Sequence, residues 1–470
     1  MRQLDVHAIA EESRFGAFHG VILFWCALII VFDGYDLAVV GIALPLIMKD
    51  MGVSATTAGF MISAATFGMM FGAVVLGAVA DRIGRRLAIA ASVALFSVFT
   101  AAAGLSHDAV TFSALRFVAG LGLGGVMPSV IALMTEFAPK KTRATLVTIS
   151  LGGFALGGMA AALLGKGIIA RHGWQSVFFA AGAPLLLIPL MLKGLPESMA
   201  FLVRKGRDDK LRTLVSTLQP GFRLDTDDRF ALRDAGRAAD ARIHRLVQDG
   251  NAPSSIAFWV ASFMCLSSIY ALGTWSTKLL AAAGYGMNLA LTFVLVLNVG
   301  ALIGALVSGW IADRLPIKWV SFALLVVAAG AIALLGDKPP VGALLAVAGI
   351  AGIASYGGQN VLYAYAGQFY PLEVRSTGVG LVSGVGRAGA IVAPIAMGTL
   401  VAMQLPLAQT FLFIALPLLV GAVAVAMVDH KRSASTQRED TNVGLANRLE
   451  EMNRPVRLQQ QESVDGATVP

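Results

Sequence analysis

Twelve long apolar stretches follow one another along the chain, and each is long enough to cross a bilayer as a helix. Crossing about 30 Å of hydrocarbon takes roughly 20 helical residues. The stretches lie near 20–46, 56–79, 87–105, 110–137, 144–169, 174–193, 255–280, 289–311, 318–336, 341–369, 377–402 and 406–428. They show no two-residue alternation, and backbone polar groups in lipid must be satisfied within the segment, so helices are predicted rather than barrel strands. The pattern therefore predicts an all-α membrane protein.

Polar stretches divide this pattern into five parts. We expect a cytoplasmic N-terminal segment at 1–18, a six-helix bundle at 19–199, a cytoplasmic central loop at 200–252, a second six-helix bundle at 253–429 and a disordered cytoplasmic tail at 430–470. Basic residues in the short loops are concentrated on one side of the helices. Because Lys and Arg mark the cytoplasmic side, both termini are predicted to lie in the cytoplasm. The membrane is predicted to be the inner membrane of a bacterium.

The composition fits a membrane protein and excludes several other classes. Of the 470 residues, 57% are hydrophobic and only 14% are charged, whereas roughly a quarter of the residues in soluble domains carry a charge. A soluble enzyme, a nucleic-acid-binding protein and a disordered scaffold are therefore excluded. The net charge of +8 is explained by cytoplasmic loops that face anionic lipid. Cys26 and Cys265 lie within apolar stretches, so we expect no disulfide and no metal site.

A repeat at a fixed offset of 232 residues relates the two groups of helices. It joins Asp81-Arg82 to Asp313-Arg314, and the pattern Phe-x-Pro-x-x-x-Arg-x-Thr at 137–145 to its copy at 369–377. Parallel six-helix halves related by an axis along the membrane normal are typical of secondary transporters, with the substrate site between the halves near the bilayer midplane. The repeat therefore predicts two pseudo-symmetric halves.

Glycine and charged residues are concentrated in the loop between the second and third predicted helices. They are Gly77, Asp81, Arg82, Gly84, Arg85 and Arg86, and Asp313 with Arg314 repeats part of the pattern in the second half. The pattern resembles the signature of the major facilitator superfamily, which implies the major facilitator fold and a gate on the cytoplasmic side. Glycines allow helices to approach closely, and an aspartate is favoured near a helix N-terminus. A solvated turn that only follows the positive-inside rule is the alternative.

Glu136 ends the fourth helix on the same side of the membrane. We expect it to take part in the gate by pairing with Arg143 or with the arginines of the loop. A surface ion pair of little energetic weight is the alternative.

Four charged residues lie clearly inside the predicted spans: Asp33, Asp36, Arg116 and Arg387. Ionisable groups are costly in lipid, so they must face the bundle interior and are functional candidates by default. Asp33 and Asp36 share one helical face, where burial and mutual repulsion disfavour the doubly charged state. This predicts that they carry protons, and permanent pairing of both with the arginines is the alternative. Arg116 is expected to balance these carboxylates within the substrate site, or else to form a purely structural salt bridge.

The first helix contains the element Asp33-Gly34-Tyr35-Asp36, followed by Pro45, and the sixth ends with Leu195-Pro196-Glu197-Ser198. Together with the loop pattern, these elements resemble the aromatic acid:proton symporter family over essentially the whole transmembrane region. The resemblance implies uptake of a benzoate-type anion with protons. Two further runs, at 4–6 and 24–26, are most similar to benzoate permeases.

An aromatic carboxylate needs a cation for its charge and an aromatic or polar wall for its ring. Arg387, in the eleventh helix near the midplane, is the predicted cation. The tenth helix presents Tyr356, Gln359, Asn360 and Tyr363 on one face. These four residues form either the wall of the substrate site or polar contacts that hold helices together.

We therefore predict a proton-coupled transporter that imports an aromatic carboxylate, benzoate or a hydroxybenzoate, by alternating access. A proton symporter for a non-aromatic anion such as a muconate or a dicarboxylate is the nearer alternative, and a non-transporting membrane sensor is the remote one. The spans contain no His or Cys cluster and no nucleophile beside a base, so no enzyme is expected. We expect no cofactor, no metal and no nucleic-acid partner, with membrane lipid around a monomeric carrier.

Overall fold

The computed structural model describes residues 3–219, 228–231, 251–371, 374–430 and 433. Within these residues, twelve helical segments are long and apolar enough to span a membrane, as the apolar stretches predict. They are TM1 Ala17–Asp50, TM2 Ala55–Ile83, TM3 Arg85–Ala103, TM4 Ala109–Phe137, TM5 Arg143–His172, TM6 Gln175–Gly194, TM7 Ala252–Ala282, TM8 Met287–Ala312, TM9 Ile317–Leu334, TM10 Val341–Phe369, TM11 Arg375–Ala402 and TM12 Leu407–Met427. The chain is a multi-pass membrane protein.

TM6 differs from the single helix that the apolar stretch at 174–193 predicts. It consists of two helices, Gln175–Ala180 and Pro184–Gly194. Pro184 has no N–H to bond to the preceding turn and restricts the residue before it, so the helix restarts at this proline.

The segments outside the membrane contain short folded elements. Strand β1, Gln3–Asp5, pairs in parallel with strand β2, Arg229–Ala231, and the helices Val6–Glu12, Met199–Arg204 and Asp208–Leu218 pack nearby. Val6 and Ala10 are completely buried. The N-terminal segment therefore packs against the central loop. Of the predicted tail at 430–470, all but residues 430 and 433 lie outside the described residues.

The two halves pack in the same way, as the repeat predicts. TM2 packs on TM4 as TM8 does on TM10, and TM1 packs on TM5 as TM7 does on TM11. Gly68 lies against the carbonyl of Phe117, and the repeat-related Gly300 lies against the carbonyl of Gly349. Neither glycine has room for a side chain, so these helix pairs approach more closely than larger residues would allow.

The halves meet along three helix pairs: TM1 with TM7, TM2 with TM11 and TM5 with TM8. The hydroxyl of Ser63 donates to the carbonyl of Ile391 at 2.7 Å, and the Thr277 hydroxyl donates to the carbonyl of Gly41. On the third pair, Lys166 Nζ lies 3.0 Å from Thr292 Oγ1. All three contacts lie toward the end of the bundle where TM1 ends, which we call the outer end. The opposite end carries the arginine-rich loop after TM2, and we call it the basic end.

Candidate functional site

Asp36 is held by a buried hydrogen-bond network that joins TM1, TM3 and TM4. Arg116 Nη1 lies 2.8 Å from Asp36 Oδ2 and 3.1 Å from Oδ1, and Nη2 donates to the main-chain carbonyl of Asp36. Thr100 donates its hydroxyl to Asp36 and accepts from Arg116 Nη1 at 2.7 Å. Asp36 is 0% exposed and Arg116 1%. The two opposite charges therefore neutralise each other inside the N-terminal half.

Asp33 lies one helical turn from Asp36 in a different environment. Its side chain is also 0% exposed, and among the described residues neither of its carboxylate oxygens has a hydrogen-bond partner. Asp36 and Arg387 act on it electrostatically, Arg387 from TM11 in the other half. Arg387 has a buried Nη1 that likewise has no hydrogen-bond partner among the described residues. A carboxylate and a guanidinium from opposite halves thus lie near each other without a direct salt bridge.

The two residues between the carboxylates hold TM1 in one orientation. A Cβ at Gly34 would lie 2.8 Å from the Cα of Phe154 in TM5, so only glycine fits there. The neighbouring Tyr35 donates its hydroxyl to the carbonyl of Val177 at 2.8 Å. TM1 therefore packs its Gly34 side on TM5 and cannot rotate without losing these contacts.

Tyrosines on TM7 and TM10 extend this group of polar side chains. Tyr270 interacts electrostatically with Arg387, Asp33 and Tyr363, and Tyr356 interacts with Tyr270. The site therefore combines one acid, one base and three phenols from TM1, TM7, TM10 and TM11.

The two amides predicted on TM10 differ in their surroundings. Gln359 is 5% exposed, and its Nε2 lies 3.3 Å from Ser262 Oγ on TM7. Asn360 is exposed, and its role in substrate binding stays a prediction.

At the basic end, a second network joins the loop after TM2 to TM4 and to the segment after TM6. Arg85 Nη1 lies 2.7 Å from Glu136 Oε2, and Glu136 also accepts from the Ser198 hydroxyl at 2.9 Å and from the Ala200 N–H at 2.6 Å. The main-chain N–H of Arg86 donates to Glu197 at 3.2 Å. Of the two pairings predicted for Glu136, the structure shows the one with an arginine of the loop after TM2, Arg85. Arg143 pairs instead with Glu11, at 3.1 Å.

The other residues of the loop pattern are less closely packed. A Cβ at Gly77 would meet no described residue within 4 Å, so this glycine does not make the close helix approach expected of it. Asp81 is 61% exposed and lies 3.8 Å from Arg204, while Arg82 is exposed. Gly84 has a φ of 98° and lies against Glu197. In the second half, Arg314 lies 3.7 Å from the ring centre of Trp310, and Asp313 is exposed.

Comparisons with known proteins identify the family. The model of the Major Facilitator Superfamily matches residues 26–338 and 259–458. The chain is 41% identical to the benzoate transport protein of Acinetobacter baylyi, over 92% of this chain and 94% of that protein. It is 35% identical to the gentisate transporter of Corynebacterium glutamicum, over 85% of each chain. The chain belongs to the major facilitator superfamily, in its aromatic acid transporter family.

The fold comparison agrees with this assignment. The crystal structure of a D-xylose-proton symporter matches with a TM-score of 0.68 and 16% identity, over 89% of this chain and 99% of that one. The predicted major facilitator fold is confirmed, and so is the prediction of a transporter rather than an enzyme.

Sequence reasoning missed three residues of this site: Thr100, Ser262 and Tyr270. Tyr270 had a usable signal, because a phenol within an otherwise apolar span needs a partner for its hydroxyl. Small hydroxyl residues in helices commonly bond their own backbone. Thr100 and Ser262 therefore carry no such signal.

Proposed function

We propose that this transporter imports benzoate-type monocarboxylates together with protons by alternating access. The proposal rests on the different bonding partners of the two buried aspartates. Arg116 neutralises Asp36, whereas Asp33 has no hydrogen-bond partner among the described residues and lies near Arg387 between the halves. A buried carboxylate without a partner is stabilised by taking up a proton.

The substrate assignment rests on the relatives and on the pairing of the two buried arginines. Similar proteins include transporters named for benzoate, gentisate and 4-hydroxybenzoate. Arg387 is the cation for the substrate carboxylate, because Arg116 is bonded to Asp36. A dicarboxylate would need a second cation in the site, so this arrangement favours a monocarboxylate.

The coupling of proton transport to substrate transport follows from the charges of Asp33, Arg387 and the substrate. When Asp33 is ionised, it balances Arg387, and a bound substrate anion would add an uncompensated charge in a low-dielectric region. Protonation of Asp33 frees Arg387 for the substrate carboxylate, and the loaded carrier can then reorient. One proton per anion is electroneutral, and each additional proton gains about 2.3 kcal/mol per 100 mV of membrane potential.

The contacts between the two halves support the assignment of a conformational state to this structure. The basic end is the cytoplasmic one by the positive-inside rule. The contacts of Ser63, Thr277 and Lys166 lie at the outer end. We therefore assign this arrangement to the inward-facing state of a monomeric carrier in a bacterial inner membrane, with both termini in the cytoplasm and lipid around the spans.

Uptake of labelled benzoate into proteoliposomes tests the proposal. With an acidic exterior the wild-type protein should concentrate benzoate, and a protonophore should abolish the concentration gradient. Accumulation that survives the protonophore would refute proton coupling.

The Asp33→Asn variant tests the residue. Asn resembles the protonated aspartate, so this variant should exchange internal for external benzoate but fail to accumulate it. The matched control is Asp337→Asn, which neutralises an exposed carboxylate between TM9 and TM10 and should accumulate benzoate normally. Normal accumulation by Asp33→Asn would remove the proton-carrying role from this residue.

A further inference from the structure

The side chain of Gln359 lies where TM7, TM10 and TM11 meet. Its Nε2 is 3.3 Å from Ser262 Oγ. Ser262 in turn lies directly against Gly386, where a side chain would collide with its hydroxyl. Gly386 immediately precedes Arg387, so Ser262 joins the amide to the part of TM11 that carries the residue we assign to the substrate carboxylate.

The oxygen of this amide has no partner. Gln359 is 5% exposed, and among the described residues its Oε1 has no hydrogen-bond donor, just as Arg387 Nη1 has no acceptor. Buried polar atoms are almost always hydrogen-bonded, and an unpaired one costs free energy. TM10 thus carries a buried acceptor and TM11 a buried donor, each without a partner among these residues, and Ser262 contacts both helices.

We propose that Gln359, positioned by Ser262, hydrogen-bonds a hydroxyl group on the ring of the substrate while Arg387 binds its carboxylate. This inference rests on the proposed function and adds to it a preference for hydroxylated benzoates over benzoate itself. A ring hydroxyl can donate and accept, so it pairs with the amide in either orientation of its oxygen and nitrogen. An unsubstituted ring pairs with neither and leaves the amide unsatisfied.

Discrimination by one hydrogen bond to a buried polar group should be about tenfold to hundredfold in affinity. A site built to bond a substrate hydroxyl rejects the analogue that lacks it, since its own polar group is then left unpaired. The preference should depend on Gln359 directly and on Ser262 through the orientation of the amide.

Inhibition of labelled benzoate uptake measures the preference. The inhibitors are benzoate, the 2-, 3- and 4-hydroxybenzoates, and the three matching fluorobenzoates, which have a substituent at the same position without a hydrogen to donate. In the wild type at least one hydroxybenzoate should inhibit at a concentration about tenfold or more below those of benzoate and of its fluoro analogue.

Substitutions of Gln359 and Ser262 test whether the Gln359 amide causes the preference for hydroxybenzoates. Gln359→Leu and the closer isostere Gln359→Met should both bring the ratio of the inhibitory concentrations of benzoate and hydroxybenzoate near one. This should hold whatever the two substitutions do to the overall rate of uptake. Ser262→Ala should lower the ratio partly. Gln368→Leu, which removes an exposed amide near the end of the same helix, should leave the ratio unchanged.

Two results would overturn the inference: no hydroxybenzoate preferred by the wild type, or a preference that survives in both Gln359 variants. Proton-dependent benzoate uptake would persist in either case if only this inference fails. Its absence in the wild type would instead refute the proposed function.

Discussion

Neutralising the two TM1 aspartates one at a time should have different effects on the free energy of unfolding. Asp36→Asn removes the negative charge that faces Arg116 Nη1 at 2.8 and 3.1 Å. It leaves the guanidinium 1% exposed, with Thr100 and a main-chain carbonyl as its remaining acceptors among the described residues. Breaking one side of a buried ion pair costs about 3–5 kcal/mol, and the remaining acceptors favour the lower end of that range. Asp33→Asn breaks no hydrogen bond to a described residue and should be neutral or stabilising.

Unfolding in mixed detergent micelles by a denaturing detergent, followed by tryptophan fluorescence, measures the difference. Asp36→Asn should lower the free energy of unfolding by about 3 kcal/mol relative to Asp33→Asn. The double variant Asp36→Asn with Arg116→Gln removes both charges and should recover most of this loss, as expected for directly coupled residues. Equal effects of the two single variants would refute the assignment of Asp36 to a structural pair, and so would the absence of recovery.

Three further substitutions test other parts of the structure. Arg387→Gln should weaken benzoate binding about tenfold to hundredfold, because the carboxylate loses a charged hydrogen-bond donor, and a titration of the purified protein that finds wild-type affinity would contradict this role. Gly41→Leu should prevent closure of the outer end, since a side chain there would lie 2.8 Å from the Cα of Thr274. A cysteine introduced by Thr274→Cys should then react faster with an impermeant maleimide than it does with Gly41 intact, and an unchanged rate would contradict the closure. Glu136→Gln should destabilise the protein by about 1–3 kcal/mol through loss of the ion pair with Arg85, and the same loss measured in an Arg85→Gln background would show that the pair contributes nothing.

Much of the fold follows from local sequence. Twelve apolar stretches predict twelve spans because a helix is the structure that satisfies the backbone within lipid. The 232-residue offset predicts the matching helix pairs, and Gly68 and Gly300 occupy equivalent crossings. The restart of TM6 at Pro184 also has a local cause, although the apolar stretch alone does not locate it.

The basic-end contacts were less predictable. A carboxylate such as Glu136 has several arginines within plausible reach, and the sequence leaves open which of them it meets. In the structure Glu136 pairs with Arg85. The segment after TM6 packs beside TM4 there, and its Ser198 donates a hydrogen bond to the same carboxylate. Glu11, far away in the chain, then pairs with Arg143.

Local hydrophobicity and repetition along the chain were sufficient to predict the membrane fold, the two related halves and the few charged residues inside the spans. The packing of the helices was needed to show that Asp36 is paired with Arg116 while Asp33 is not, and that Gln359 bonds Ser262, which lies against Gly386. Two aspartates three residues apart have nearly the same local sequence, so the difference between them comes from Thr100 and Arg116 on one side and Arg387 on the other. These neighbours are supplied by other helices, and their positions depend on the packing of the whole bundle.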